Sequence, residues 1–411
     1  MEIRKERVPD YLTALVALVL WRVFFPGLMS QDSILQYGQA LTGHYNDWQP
    51  PLLAIAIKVT LGLGGALGLL MLGQCLAGVF GVRALATGVL GFFREGLPPR
   101  RAGWLSFLVL LALLVPLSPL AFYLMTLWKD AWAAILLLWI GALALDLYRR
   151  GPTRGRVAGL VACVTLLGLV RHNAIVVLPL AGLAIGWGVR RSGSPWRTAA
   201  PLAALPLVLC LAINPLIDAL FHVEKLHPDS QIMAIDLVGL CAADRAVCHR
   251  LPWTESHVRD PAGLVGYRPG DIGFIFWDAA SPVDKSIRLD YAKLRAEYVR
   301  AAWSFPGGLA RVKIEAFETL LGIDQTYYFF HGSLVDNPYG LTLNGRFANL
   351  RQAWVRTAQG VAGSPVLRWI SGVHLVWLTA NAVWVIALVT LSFRDGRKPY
   401  RWLACLLLVP L

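Results

Sequence analysis

Five residues in this apolar chain are of types that do chemistry and stand where apolar runs stop. Asp32 follows the first run, Lys129-Asp130 separates two later ones, and Arg171-His172 separates two more. Ionisable side chains at or near membrane depth are costly, so each is a functional candidate. Together they supply two carboxylates and three potentially cationic groups. At one bilayer face they would make a polar pocket suited to an anionic substrate with a lipid tail. Taken singly, each also reads as a capping Asp or a snorkelling Lys or Arg at a helix end. The set favours the pocket, because three separate turns each bring charge into an otherwise smooth helix-loop-helix transition.

The elements that must position these residues are membrane spans. Of the 411 residues 56% are hydrophobic and 15% charged, and the mean hydropathy is +0.56, outside the range of a soluble globular chain. Runs such as Leu105–Leu117 and Ala131–Leu145 are continuously apolar, which predicts helices rather than the short alternating strands of a barrel. The pattern predicts a polytopic α-helical membrane protein of about nine transmembrane helices. Seven fall at about Tyr11–Phe25, Ala66–Phe92, Trp104–Leu117, Ala131–Tyr148, Val157–Val170, Ala174–Val189 and Ala199–Leu216. An eighth falls at Val366–Leu391, and Trp402–Leu411 reads as an incomplete ninth. Leu52–Leu63 is short and glycine-flanked and reads as an interfacial helix.

The formal charge of +13 is a topology signal and not a nucleic-acid footprint. Ala219–Pro365 holds 15 basic and 15 acidic residues of the chain's 38 and 25, so the whole excess lies outside that stretch. Basic clusters such as Arg100/Arg101, Arg149/Arg150/Arg154/Arg156 and Arg190/Arg191 place their turns in the cytoplasm, while Gly27–Pro50 has no Lys or Arg. The expected organisation is a transmembrane core over 1–218 with an outward loop at 27–65, one large extracytoplasmic domain over 219–365, and C-terminal spans over 366–411. The chain is then a multi-pass protein of a bacterial inner or plasma membrane with a cytoplasmic N-terminus. Cys241 and Cys248 lie seven residues apart in the outward domain, where an oxidising compartment would let them form a disulfide; two unpaired thiols are the alternative.

An Asp shortly after the first span (Asp32), the aromatic/Pro-Pro motif Asp47-Trp48-Gln49-Pro50-Pro51 and a carboxylate in the next outward turn (Asp130) together resemble GT-C-type glycosyltransferases. These are the lipid-linked-sugar-dependent enzymes that include protein O-mannosyltransferases and the lipid A aminoarabinose transferase. Val170-Arg171-His172-Asn173 followed by Val176-Val177-Leu178-Pro179 also looks like a segment of their middle helices. The resemblance covers roughly the first 220 residues. The chain departs from it at Asp32-Ser33, where many relatives have an acidic pair, and at Gln49, where many have His or Lys.

The resemblance implies transfer of a sugar from a polyprenyl-phosphate donor to an extracytoplasmic acceptor, a cell-envelope glycan, lipid or protein. Such transfer needs a base for the acceptor proton and positive charge for the departing phosphate. Asp32 is the expected base. Lys129 and Arg171 would hold the phosphate, His172 would assist, and Asp47 and Trp48 belong to the substrate-binding loop. Asp130 would orient Lys129 or, with Asp32, supply ligands to a divalent metal ion. The competing reading is a transporter or flippase for a lipid-linked saccharide, which would need the same charged pocket; the absence of a long internal repeat favours the enzyme.

Overall fold

The computed structural model describes residues 7–64, 67–93, 97–114, 120–191, 193–267, 272–276, 278–321 and 332–367. The expected spans at Val366–Leu391 and Trp402–Leu411 lie essentially outside the described residues. Among the described residues the chain is helical and has no named β-strand. It forms two compact units, one built from residues 7–224 and 332–367 and the other from 225–321.

In the first unit, α1 (Val8–Phe24) ends where Pro26 and Gly27, the latter at φ +131°, turn the chain. Gly27–Pro50, expected as loop, contains a helix, α2 (Gln31–Thr42). Ser30 caps it through reciprocal bonds with Ser33, and Gly43 ends it in the left-handed conformation. α3 (Leu52–Gly62) follows Pro50-Pro51. Then come α4 (Leu67–Phe93), α5 (Pro99–Leu113), the short α6 (Leu120–Met125), α7 (Lys129–Arg150), α8 (Arg154–Val170), α9 (Leu178–Arg191) and α10 (Trp196–Phe221).

Among the described residues three helices are long and apolar enough to cross a membrane: Leu67–Gly91, Lys129–Arg150 and Trp196–Phe221. The shorter α1, α5, α8 and α9 pack beside them. Large apolar side chains on their outer faces, including Leu15 and Val19 of α1, Leu108 of α5, Leu183 and Trp187 of α9 and Leu211 of α10, stay exposed. Apolar surface on that scale has no stable place in water. Small residues bring α9 and α10 together: a Cβ on Gly182 would strike the Ala203 carbonyl, and one on Gly186 would meet Ala199 and Ala203. That is the close backbone approach that small residues four apart allow between membrane helices.

The sequence reading ran one outward domain from 219 to 365, whereas the structure returns 332–367 to the first unit. Val335 N donates to Met29 O (3.2 Å) and Asn344 N to Phe25 O (3.0 Å). Tyr339 sits edge-on to Tyr37, its hydroxyl in the space a side chain on Gly38 would need. In α17 (Ala348–Gly363), Trp354 packs edge-on against Phe24, and the buried Arg351 guanidinium donates to Val23 O (2.8 Å) and Asn344 O (2.6 Å). Leu334, Leu341, Leu343 and Phe347 pack against the same core. The balanced charge of 219–365 hid this apolar strap.

The second unit is organised around α11 (Asp229–Ala243), followed by α12 (Arg245–Cys248), α13 (Pro252–His257), α14 (Ile272–Phe276), α15 (Tyr291–Ser304) and α16 (Pro306–Leu321). Leu237, Val238 and Leu240 of α11 are buried with Leu294 and Ala301 of α15 and Val312 of α16. A disulfide joins Cys241 to Cys248. Buried Glu297 accepts from the backbone N–H of Trp253 and Thr254 (2.8 Å each), satisfying the start of α13. Buried Asp236 accepts from Tyr298 Oη (3.1 Å) and pairs with Lys313 Nζ (2.5 Å). Burial raises the Asp236 carboxyl above its ordinary range against the opposing pull of Lys313, and burial beside that carboxylate pushes the Tyr298 phenol up to about 12.

Candidate functional site

Two backbone pairings bring the candidate turns together within the first unit. Leu28 N donates to Met125 O (2.8 Å) and Leu127 N to Leu28 O (2.9 Å), which fixes the chain entering α7 beside the chain entering α2. Asp47 N donates to Glu224 O and Glu224 N to Tyr45 O (both 2.9 Å), which fixes the Asp47-Trp48 loop against the end of α10. Asn46 Oδ1 accepts from Gln39 Nε2 (3.1 Å) and Trp48 N (3.2 Å), tying that loop to α2 as well.

Asp32 stands in the first turn of α2, Lys129 and Asp130 open α7, and Arg171 follows α8. These four side chains form a continuous chain of charge. Lys129 Nζ lies 3.6 Å from Asp32 Oδ2 and 3.9 Å from Asp130 Oδ2, and Arg171 Nη1 pairs with Asp130 Oδ1. Arg171 Nε donates to Asn173 Oδ1 (2.9 Å), which holds the guanidinium plane. His172 Nε2 bonds the Asp47 carbonyl oxygen (3.1 Å), so this histidine meets the Asp47 backbone. Trp48 contributes by position, as the neighbour of Gln49.

The two carboxylates differ in what they can do. Both Asp130 oxygens are engaged by cations and its side chain is 13% exposed. Asp32 is 35% exposed, and both Lys129 and the Gln49 amide (3.1 Å) address its Oδ2. No described residue bonds Asp32 Oδ1, so that oxygen can accept a proton while Oδ2 anchors the group. Asp130 instead orients Lys129 and Arg171.

Two contributors escaped the sequence reading in this role. Gln49, noted only as a departure from a motif, holds Asp32. Gln74, buried in α4, donates from Nε2 to the carbonyls of Tyr123 (3.3 Å), Leu124 (3.0 Å) and Thr126 (2.7 Å). Those carbonyls close α6 immediately before Trp128, whose ring stacks on Tyr123 with centroids 5.9 Å apart. The available signal was a lone amide within an apolar span.

The donor set suits a resident divalent ion poorly. The Lys129 ammonium already sits within ion-pairing reach of both carboxylates, where a shared metal would bind. Among the described residues no group of three His, Cys, Asp or Glu side chains could hold a metal ion. No protein-family model matches the chain, and no match is found among curated proteins or solved structures.

Proposed function

We propose that this chain is a multi-pass membrane glycosyltransferase of GT-C type that transfers a sugar, with inversion, from a polyprenyl-phosphate donor to an extracytoplasmic acceptor. The observation that carries the reading is the convergence of Asp32, Lys129, Asp130 and Arg171, from three separate turns, into one charge-balanced cluster. The acceptor hydroxyl oxygen attacks the anomeric carbon as the bond from that carbon to the phosphate oxygen breaks. The phosphate leaves with the bonding electrons, and Asp32 Oδ1 takes the acceptor proton. Lys129 and Arg171 hold the phosphate and stabilise the charge it gains on leaving, the guanidinium through paired N–H donors. Asp130 keeps both cations in place while the site awaits donor.

The outward location of the cluster follows from the distribution of basic residues, with the shorter helices α1, α5, α8 and α9 counted as spans. In intact cells, an impermeant thiol reagent should label His44→Cys and not Arg154→Cys; the reverse would overturn the topology. For the activity, purified protein in lipid is incubated with labelled polyprenyl-phosphate sugars, and release or transfer of sugar is followed by mass detection. Asp32→Asn keeps shape and the Gln49 contact, so donor binding should persist while turnover falls by about 100-fold or more. Parental turnover in Asp32→Asn would remove the base assignment. Saccharide flux across the bilayer without any sugar transfer would make the chain a flippase instead.

A further inference from the structure

A second charged cavity opens at the far end of the α4–α7 pair, and the transferase chemistry makes no use of it. Asp146, in its wall, stands 17 residues after Lys129 on α7, about 25 Å along the axis at about 1.5 Å per residue. The cavity has a volume of about 360 Å³ and a lining of both apolar and charged side chains. Phe80, Ala84, Trp139 and Leu143 make an apolar wall; the Trp139 indole N–H is spent on Ala77 O (2.9 Å), leaving the ring as apolar surface. The same cavity is lined by three guanidiniums, Arg83, Arg149 and Arg150, and two carboxylates, Asp10 and Asp146.

The pairing within this group leaves cationic capacity over. Asp146 is shared by Arg156 Nε (2.5 Å) and Arg150 Nε (3.1 Å). Arg83, within the span Leu67–Gly91, pairs with Asp10 and donates from Nη1 to Thr13 Oγ1 (3.3 Å), yet its Nε is buried with no partner among the described residues. The Arg149 guanidinium lies against Gly91 of α4 and has no carboxylate partner among the described residues. The guanidiniums that line the cavity have N–H donors beyond those pairings, and a phosphate oxygen is an acceptor that their planar fork suits.

We propose that this cavity binds an anionic phospholipid, with its headgroup phosphate between Arg83 and Arg149 and the first methylenes of its chains on Phe80, Trp139 and Leu143. The volume accommodates a headgroup and the start of the chains, the remainder lying in the bilayer. Basic pockets between membrane helices are suited to such headgroups. A soluble phosphate shares the anion chemistry but would leave the apolar wall bare. The proposal rests on the membrane reading of the helices and not on the transferase reading, so failure of sugar transfer leaves it standing.

Native mass spectrometry of delipidated protein in neutral detergent tests it, with phosphatidylglycerol, phosphatidylcholine and inorganic phosphate as probes. Phosphatidylglycerol should be retained in preference to phosphatidylcholine, and Arg149→Gln, at an exposed position, should weaken it by about tenfold, as loss of one charge-assisted contact does. Asp10→Asn raises the local positive charge and should hold phosphatidylglycerol at least as well as the parent. Equal retention of the two lipids would overturn the proposal, as would parental binding in both Arg149→Gln and Arg83→Gln. Displacement of phosphatidylglycerol by millimolar inorganic phosphate would also overturn it, by making the site one for a soluble anion.

Discussion

Replacing Gln74 with leucine tests whether one amide in the core of α4 sets the position of the Lys129-Asp130 turn. Its Nε2 reaches Thr126 O at 2.7 Å, Leu124 O at 3.0 Å and, less closely, Tyr123 O at 3.3 Å. These are carbonyls at the end of α6, where intrahelical donors have run out. From α4 Cys75 Sγ also approaches Leu124 O, at 3.7 Å, too weakly to substitute. Leucine is close to glutamine in size and donates nothing, so Gln74→Leu removes the bonds without opening a void. At about 0.5–1.5 kcal/mol per bond, the two shorter ones come to about 1–3 kcal/mol, with the lower end favoured because bonds between membrane helices average about 0.6 kcal/mol. The thermal midpoint of the purified protein should fall by roughly 1–4 °C. Sugar transfer should fall as well, because Lys129 follows the freed carbonyls by only three residues. Gln74→Glu should be worse, since an ionised carboxylate would face three carbonyls at a fully buried position. A Gln74→Leu protein that melts with the parent, or a Gln74→Glu protein more stable than the leucine variant, would refute the reasoning.

On the proposed function Lys129→Ala and Arg171→Ala remove charge that would meet the donor phosphate both before and during departure, so steady-state kinetics should show a raised KM as well as a lowered kcat; unchanged donor binding in both would remove the phosphate assignment. Cys241→Ser should lower the stability of the second unit by about 2 kcal/mol, the expectation for so small a loop, measured by chemical denaturation with and without reductant. Because burial raises the Asp236 pKa, the folded second unit binds that proton more tightly than the unfolded chain does. The cost of the buried charge is fully present above the folded pKa and is relieved as pH falls from there towards about 3.8, the ordinary aspartate value, so this group's contribution to stability rises on acidification. Melts across that window should show a smaller acid-side gain in Asp236→Asn, and equal slopes in parent and variant would contradict it.

Much of the local structure was written in composition and periodicity. Helical segments expected at 66–92, 131–148 and 199–216 appear as Leu67–Phe93, Lys129–Arg150 and Trp196–Phe221, because long apolar runs broken by Gly and Pro admit few alternatives. The helix Gln31–Thr42 was missed because its polar sequence lacks that signal, although Ser30 and Ser33 already spelled out its cap. The candidate residues could be named because charge at the ends of apolar runs is conspicuous. Their division of labour could not, since it turns on which oxygen each cation reaches: Asp130 is engaged on both, from Lys129 beside it and from Arg171 41 residues away, while Asp32 is engaged on one. Gln49 and Gln74 gain their roles only when α2 and the end of α6 are packed against them. The strap at 332–367 is apolar in places but too short and irregular to announce its partner. Hydropathy and caps act over a few residues and are legible along the chain, whereas ion pairs and amide-to-carbonyl bonds between distant turns exist only once packing has brought those turns together.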